Sequence, residues 1–262
     1  MPLAVLTGKG TVVLPTGARA GAAGPPRSQV LAGERLMALS PALRPLVPAG
    51  GLQRGTTVLV SGVRPPATGA RPPAATGARM VAPAAGTTTL ALELLIGVSL
   101  SGAWCAVAGM ATLGLKAVAE RGFDLARLLL VPSLGSPSQQ LQVTAALLDA
   151  VDAVLLAPPG PVRQGDARRL MARARERGCL LVVLDRADQS ARADQSARTD
   201  RDRADQSALW PVPADLCCAV AGSRWSGLGQ GHGLLREHSL QVEVSGRGAA
   251  ARSRQASIDL PA

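Results

Sequence analysis

The middle of the chain alternates two patterns: short apolar runs with no polar interruption, and longer stretches with apolar residues at helical spacing. Thr56 to Ser61 (TTVLVS) predicts a strand, and Thr88 to Leu100 a helix with Leu92, Leu95 and Ile96 on a common stripe. Trp104 to Ala108 predicts a strand, Gly114 to Arg121 a helix, and Arg127 to Val131 a strand. Ser138 to Ala150 follows as a helix and Ala153 to Ala157 (AVLLA) as a wholly apolar strand. Asp166 to Arg177 is amphipathic, with Ala167, Leu170, Met171 and Ala174 on one face and arginines outside it, and Leu180 to Asp185 (LLVVLD) is again apolar. Strands that are apolar on both sides, each preceded by a helix, predict a mostly parallel sheet covered on both faces. The tail differs. Leu240, Val242 and Val244 alternate, SGRG turns, and Ala256, Ile258 and Leu260 alternate again, which predicts an antiparallel hairpin.

Two low-complexity inserts interrupt this order. One, at 63–85, repeats ATGAR; the other, at 186–209, carries RADQSA three times. Neither holds enough apolar surface to offset its ordering entropy, so both are expected to be flexible loops, and residues 1–28 a disordered lead. Without them a core of about 180 residues is left, enough for one domain.

Composition changes this picture little. The formal charge is +10 and the pI near 11.1, but 26 of the 28 basic residues are Arg, Tyr is absent and Phe occurs once. GC-rich codons account for that bias. Residues 1–83 carry nine basic residues against Glu34, whereas 84–185 are nearly balanced and 186–208 hold five Arg and five Asp. The excess sits in the Pro/Gly-rich front end, where solvated arginines or non-specific phosphate attraction are the two readings. Any DNA contact is expected to be weak. No apolar run reaches the roughly 18 residues of a membrane span, and no secretory leader is visible, so a cytoplasmic location is expected. Cys105, Cys179, Cys217 and Cys218 show no C-x-x-C spacing and read as thiols rather than disulfides or metal ligands.

In a parallel sheet the turn after the first strand is the usual phosphate site. Ser61-Gly62 opens that turn here, and Gly86-Thr87-Thr88-Thr89 begins the helix. A phosphate loop places about four residues between its glycines and then a lysine. Here 23 residues intervene (63–85), and Thr87 stands in the lysine position. His232 and His238 have no sequence neighbours that suggest a ligand cluster, and Trp104 and Trp225 read as core residues rather than stacking platforms.

Several segments together resemble the ATPase core of RecA recombinases: GGLQRGTTVLVSG (50–62), AGTTTLAL (85–92), WCAVAGM (104–110), FDLARLLLVP (123–132) and VDAVLLAP (151–158). The tail QVEVSGRGAAARSRQASIDL (241–260) is similar to their closing hairpin. More closely, the chain resembles the shortened RecA-like accessory proteins of the ImuA/SulA-related group, found in damage-inducible mutagenesis cassettes. The resemblance implies an α/β fold with a RecA-like P-loop NTPase core spanning 29–262, a mostly parallel sheet with helices on both faces and a C-terminal antiparallel hairpin.

Carried over by position, the resemblance puts the phosphate-loop lysine on Thr87, the magnesium-binding hydroxyl on Thr88, the water-activating glutamate on Met110 and the metal-linked aspartate on Ala157. Only Thr88 keeps its chemistry. Gly62, Gly86, Thr87, Thr88 and Thr89 are then a vestigial phosphate loop, with no catalytic residue, no metal and no required cofactor, weak ATP binding being left open. Arg247 falls where recombinases reach the nucleotide of a neighbouring subunit; a turn arginine and a retained subunit or partner contact are both readings. Val242 and Val244, on the hairpin, are the other candidate contacts. The implied function is a pseudo-ATPase adaptor, with an error-prone polymerase and an inactive Y-family polymerase homologue as partners. The alternatives are a nucleotide-gated DNA-binding module and a SulA-type inhibitor of cell division.

Overall fold

The computed structural model describes residues 36–47, 50–62, 86–185, 209–228, 233–247 and 250–261. The expected lead at 1–28, the inserts at 63–85 and 186–208, and His232 lie outside the described residues. In chain order the strands and α-helices are β1 (Leu36–Ala38), β2 (Gly51–Gln53), β3 (Thr57–Gly62), α1 (Thr87–Leu100), β4 (Cys105–Ala108) and α2 (Leu115–Glu120). There follow β5 (Leu128–Val131), α3 (Pro137–Ala150), β6 (Ala153–Leu156), α4 (Gln164–Arg177), β7 (Leu180–Leu184), β8 (Leu216–Leu228), β9 (Gly233–Gly246) and β10 (Arg254–Pro261).

Eight strands form one sheet in the order β10-β9-β8-β3-β7-β6-β4-β5. From β8 to β5 every pairing is parallel; β8–β9 and β9–β10 are antiparallel. The expected class, an α/β fold with a mostly parallel sheet and an antiparallel C-terminal hairpin, is the one observed. Alternate residues of each parallel strand serve opposite faces, as the pleat requires. Val58, Val60, Val107, Leu155 and Val182 face the side of α1, whereas Ala106, Val154, Leu156, Leu181 and Val183 face α3 and α4.

Helix α1 is buried from Leu90 to Ser99 on every side, because it lies between the large sheet and the small β1–β2 sheet. Gly97 makes that sandwich fit: a Cβ there would overlap the carbonyl oxygen of Ala38. Helix α3 starts one residue earlier than its periodicity suggests, at Pro137. Ser136 and Gln139 form a capping box and proline is suited to the first helical position. The expected face of α4, Ala167, Leu170, Met171 and Ala174, is the buried one.

Two strand features were not foreseen. Strand β8 is long, and its ladder with β9 shifts register between Val220 and Gly222. This bulge inserts Ala221, which is exposed, and reverses the alternation: Leu216, Cys218 and Val220 face α1 before it, and Ser223 does so after it. The second feature is that β9 has neighbours on both edges, β8 and β10. Val242 and Val244 are consequently 1% and 3% exposed, packed in the main core. Their expected role as partner contacts is corrected: no partner can reach those side chains without unfolding the wing.

Candidate functional site

The β3–α1 junction lies at the end of the sheet where the parallel strands terminate. Gly62 closes β3 beside Val220 of β8, and Gly86 opens α1. Gly86 has φ of +100°, and a Cβ on it would collide with Leu240 Cδ2 while approaching Ser223 Oγ and His238 Cε1. The helix start is therefore pressed against β8 and β9. The first intrahelical bond runs from Leu90 N–H to the Gly86 carbonyl at 2.8 Å, and the N-cap position is a glycine, which has no side chain to cap the helix. Thr87 is buried, and Thr88 and Thr89 are half-buried and face a cleft.

That cleft has a volume of about 340 Å³. Its walls are Thr88, Thr89 and Leu92 of α1, Met110 after β4, the segment from Thr112 through α2, and Trp225 of β8. The structure thus brings together Thr88 and Met110, two positions read from sequence. Ala157 lies just behind them: its N–H donates to the Ala108 carbonyl at 2.8 Å, and a Cβ on Gly109 would overlap its carbonyl oxygen. Arg247 is elsewhere. It follows Gly246, which pairs with Leu216 at the opposite end of β8, and its N–H donates to the Asp215 carbonyl at 3.0 Å while its side chain is exposed. Within one chain it cannot join the cleft.

Charge in the cleft is nearly cancelled. Arg121 donates to Glu93 at 2.6 Å, with side chains only 14% and 7% exposed, and Glu120 is the other charged wall residue. Among the described residues, the Glu93 carboxylate, on a helix buried on every side, is balanced by that guanidinium. Lys116, on the exposed side of α2, lies 3.6 Å from Glu120.

Sequence reasoning missed the support of Trp225. Its ring stacks on His238, centroids 3.8 Å apart and planes within 6°. His238 Nε2 lies 2.8 Å from Ser223 Oγ, and Nδ1 has no hydrogen-bond partner among the described residues. Burial, aided by the Arg121 charge, pushes the imidazole down to about 4, so it is neutral at physiological pH. Two expectations are corrected here. Trp225 is a half-buried stacking ring on the cleft wall, and Trp104 is 45% exposed, not core. The available signal for Trp225 was its place four positions after Ala221, but only the bulge reveals which way it faces.

Among the described residues no His, Cys, Asp and Glu group is placed to hold a metal, and no helix is long and apolar enough to cross a membrane. All four cysteines are thiols; burial pushes Cys105 and Cys218 up to about 12.

Fold and site together define an α/β protein with a mostly parallel sheet and a cleft at the start of α1. Comparison with known proteins adds three findings. The family described as the MT3502 N-terminal domain matches residues 66–189. The uncharacterized protein Rv3395c of Mycobacterium tuberculosis is 38% identical over 101 residues, 38% of this chain, and the match spans 48% of that protein's length. Among solved structures, a KaiC-like protein of Pyrococcus horikoshii aligns over 87% of this chain and 93% of its own, with a TM-score of 0.46 and 14% identity.

Proposed function

We propose that this chain is a non-hydrolysing RecA-like adaptor of the DNA-damage response, binding polymerase-type partners of an error-prone translesion-synthesis assembly. The observation that carries the first half is the composition of the cleft at α1. Thr88 and Met110 line it, with Thr87 and Ala157 buried nearby. By the resemblance to RecA recombinases Thr88 keeps its hydroxyl, whereas Thr87 stands for a cation, Met110 for the base that would orient water and Ala157 for a metal-linked carboxylate. On that resemblance the positions that would neutralise the developing charge of a transferring phosphoryl group and orient water carry no charge, and the nearby Arg121 is paired with Glu93. What is left is a rigid scaffold with surfaces to offer.

The second half, the partners, is supported by the segment-by-segment resemblance to accessory proteins of mutagenesis cassettes. Strand β10 closes one edge of the sheet, and an edge strand is able to accept another chain. Pulldown from cells co-expressing the two polymerase-family proteins tests the reading. Recovery of either one by the full-length protein, without added ATP, is expected; failure to recover both overturns it.

The amides at the start of α1 and the Thr88 hydroxyl favour one further reading, a DNA-binding module gated by ATP without hydrolysis. Tight, salt-resistant, ATP-dependent DNA binding with no polymerase recovered would put that reading first.

A further inference from the structure

We infer that the cleft between α1, α2 and β8 is a receptor for an uncharged apolar side chain of a partner protein, a reading that rests on the adaptor function above. Its size, about 340 Å³, is at the low end of the roughly 300–1,000 Å³ typical of ligand pockets. That suits one bulky side chain with its flanking backbone. Leu92, Met110, Ala117 and Trp225 supply the apolar walls, and Thr88 and Thr89 supply hydroxyls at one side.

Charge selects the occupant. A polyphosphate entering here would find one guanidinium, already 2.6 Å from Glu93, and a second carboxylate, Glu120, on the same wall. Among the described residues the side-chain charges around the cleft nearly cancel, so beyond the α1 amides no described side chain is left to repay the desolvation of an anion. A cation gains no more, because the same carboxylates are balanced by Arg121 and Lys116. An apolar group carries no such cost.

Rigidity is the second argument. Trp225 is held in place from behind by His238, itself 1% exposed and bonded to Ser223, so the indole face toward the cleft is fixed before anything binds. Pre-ordering one wall lowers the entropy lost on association, and tryptophan is among the residue types enriched at binding hot spots. Met110 on another wall is unbranched and polarizable, able to adjust to the shape that enters.

The experiment has two arms on the full-length protein. Ala117 is exposed on α2, so Ala117→Phe fills the cleft from its rim without crowding the core. In the first arm, pulldown of the polymerase partner is compared for the native protein and Ala117→Phe, with thermal unfolding measured on both. Loss of the partner from Ala117→Phe at an unchanged unfolding midpoint is expected; full retention overturns the cleft as the receptor. In the second arm, N-acetyl-leucinamide and Mg–ATP are titrated separately while the Trp225 indole resonance, assigned by its disappearance in Trp225→Phe, is followed by NMR. A saturable shift with the neutral amide, abolished by Ala117→Phe, is expected, with none from Mg–ATP. The reverse pattern overturns the inference. If the native protein recovers no polymerase, the adaptor reading falls on the first arm while the second still decides what the cleft accepts.

Discussion

The imidazole of His238 lies flat against the indole of Trp225, 3.8 Å between centroids and 6° from parallel, on the side of the sheet that faces α1. The two residues are brought opposite each other by the β8–β9 register after the Ala221 bulge. The stack links the hairpin to the cleft: β9 provides the backing ring, β8 the wall, and Ser223 the hydrogen bond that fixes the imidazole.

Protonation of His238 should loosen that link. Its folded-state value is about 4 against an ordinary 6.5, so the unfolded chain binds the extra proton first. The stability contributed by the neutral buried ring is complete above pH 6.5 and is lost as pH falls toward 4, on the order of 3 kcal/mol for a shift of that size. Denaturant unfolding between pH 7 and 4 should show this slope. His238→Gln should flatten it, because the titrating group is gone; an identical slope in the variant would contradict the assignment. Asp149 is held below its ordinary 3.8, chiefly by hydrogen bonding to Arg173, so its contribution starts to fall only as pH approaches 4.

The Arg121–Glu93 pair predicts a non-additive mutant cycle. Glu93→Leu alone removes the carboxylate paired with a mostly buried guanidinium and should cost more than adding Arg121→Leu to it, because the pair's energy is shared. Chemical denaturation of the two single variants and the double variant checks this. Additive losses would mean that the pair carries no mutual energy.

Gly97→Ala should destabilise although alanine is the better helix former. The added methyl meets the Ala38 carbonyl and the Leu39 backbone, so β1 must move off α1. Overpacking of this kind typically costs ~1–3 kcal/mol, against ~1 kcal/mol of propensity gained. A rise in thermal midpoint would show that the β1–β2 sheet is only loosely docked.

Most of the parallel core was legible in the sequence because its strands are apolar on both faces and α4 carries a clear 3.6-residue stripe, whereas α1 is apolar all round. The α4 face is a case in point: four small or apolar residues at the right spacing among arginines leave one orientation. The hairpin's alternation was equally legible, and the pairs Val242–Ala256 and Leu240–Ile258 lie opposite each other as it implies. Alternation alone could not say how many neighbours the hairpin has. By sequence Val242 and Val244 are candidate contacts on an edge hairpin, whereas β8 pairs with β9 past the bulge and both side chains lie in the core. The bulge also hid the site's wall, since one inserted residue reverses the faces of all that follow. Trp104 was misread for a simpler reason: it precedes β4 rather than belonging to it, with its N–H turned to Asp152 at 3.2 Å.

Val242→Pro is accordingly a folding variant, not an interface variant. Proline removes a donor from a strand paired on both edges, where it is essentially not found. Loss of the cooperative unfolding transition is expected, together with loss of any partner. A folded Val242→Pro protein with normal stability would contradict the position of β9 inside the sheet.

The proposal that this chain does not hydrolyse nucleotide is tested most directly by steady-state ATP turnover of the purified protein, with and without single-stranded DNA. If Thr87, Met110 and Ala157 occupy the positions where the resemblance puts a cation and two carboxylates, the rate should not exceed background, and Thr88→Ala should leave it unchanged. Turnover above background that disappears in Thr88→Ala would show a working site and contradict the account.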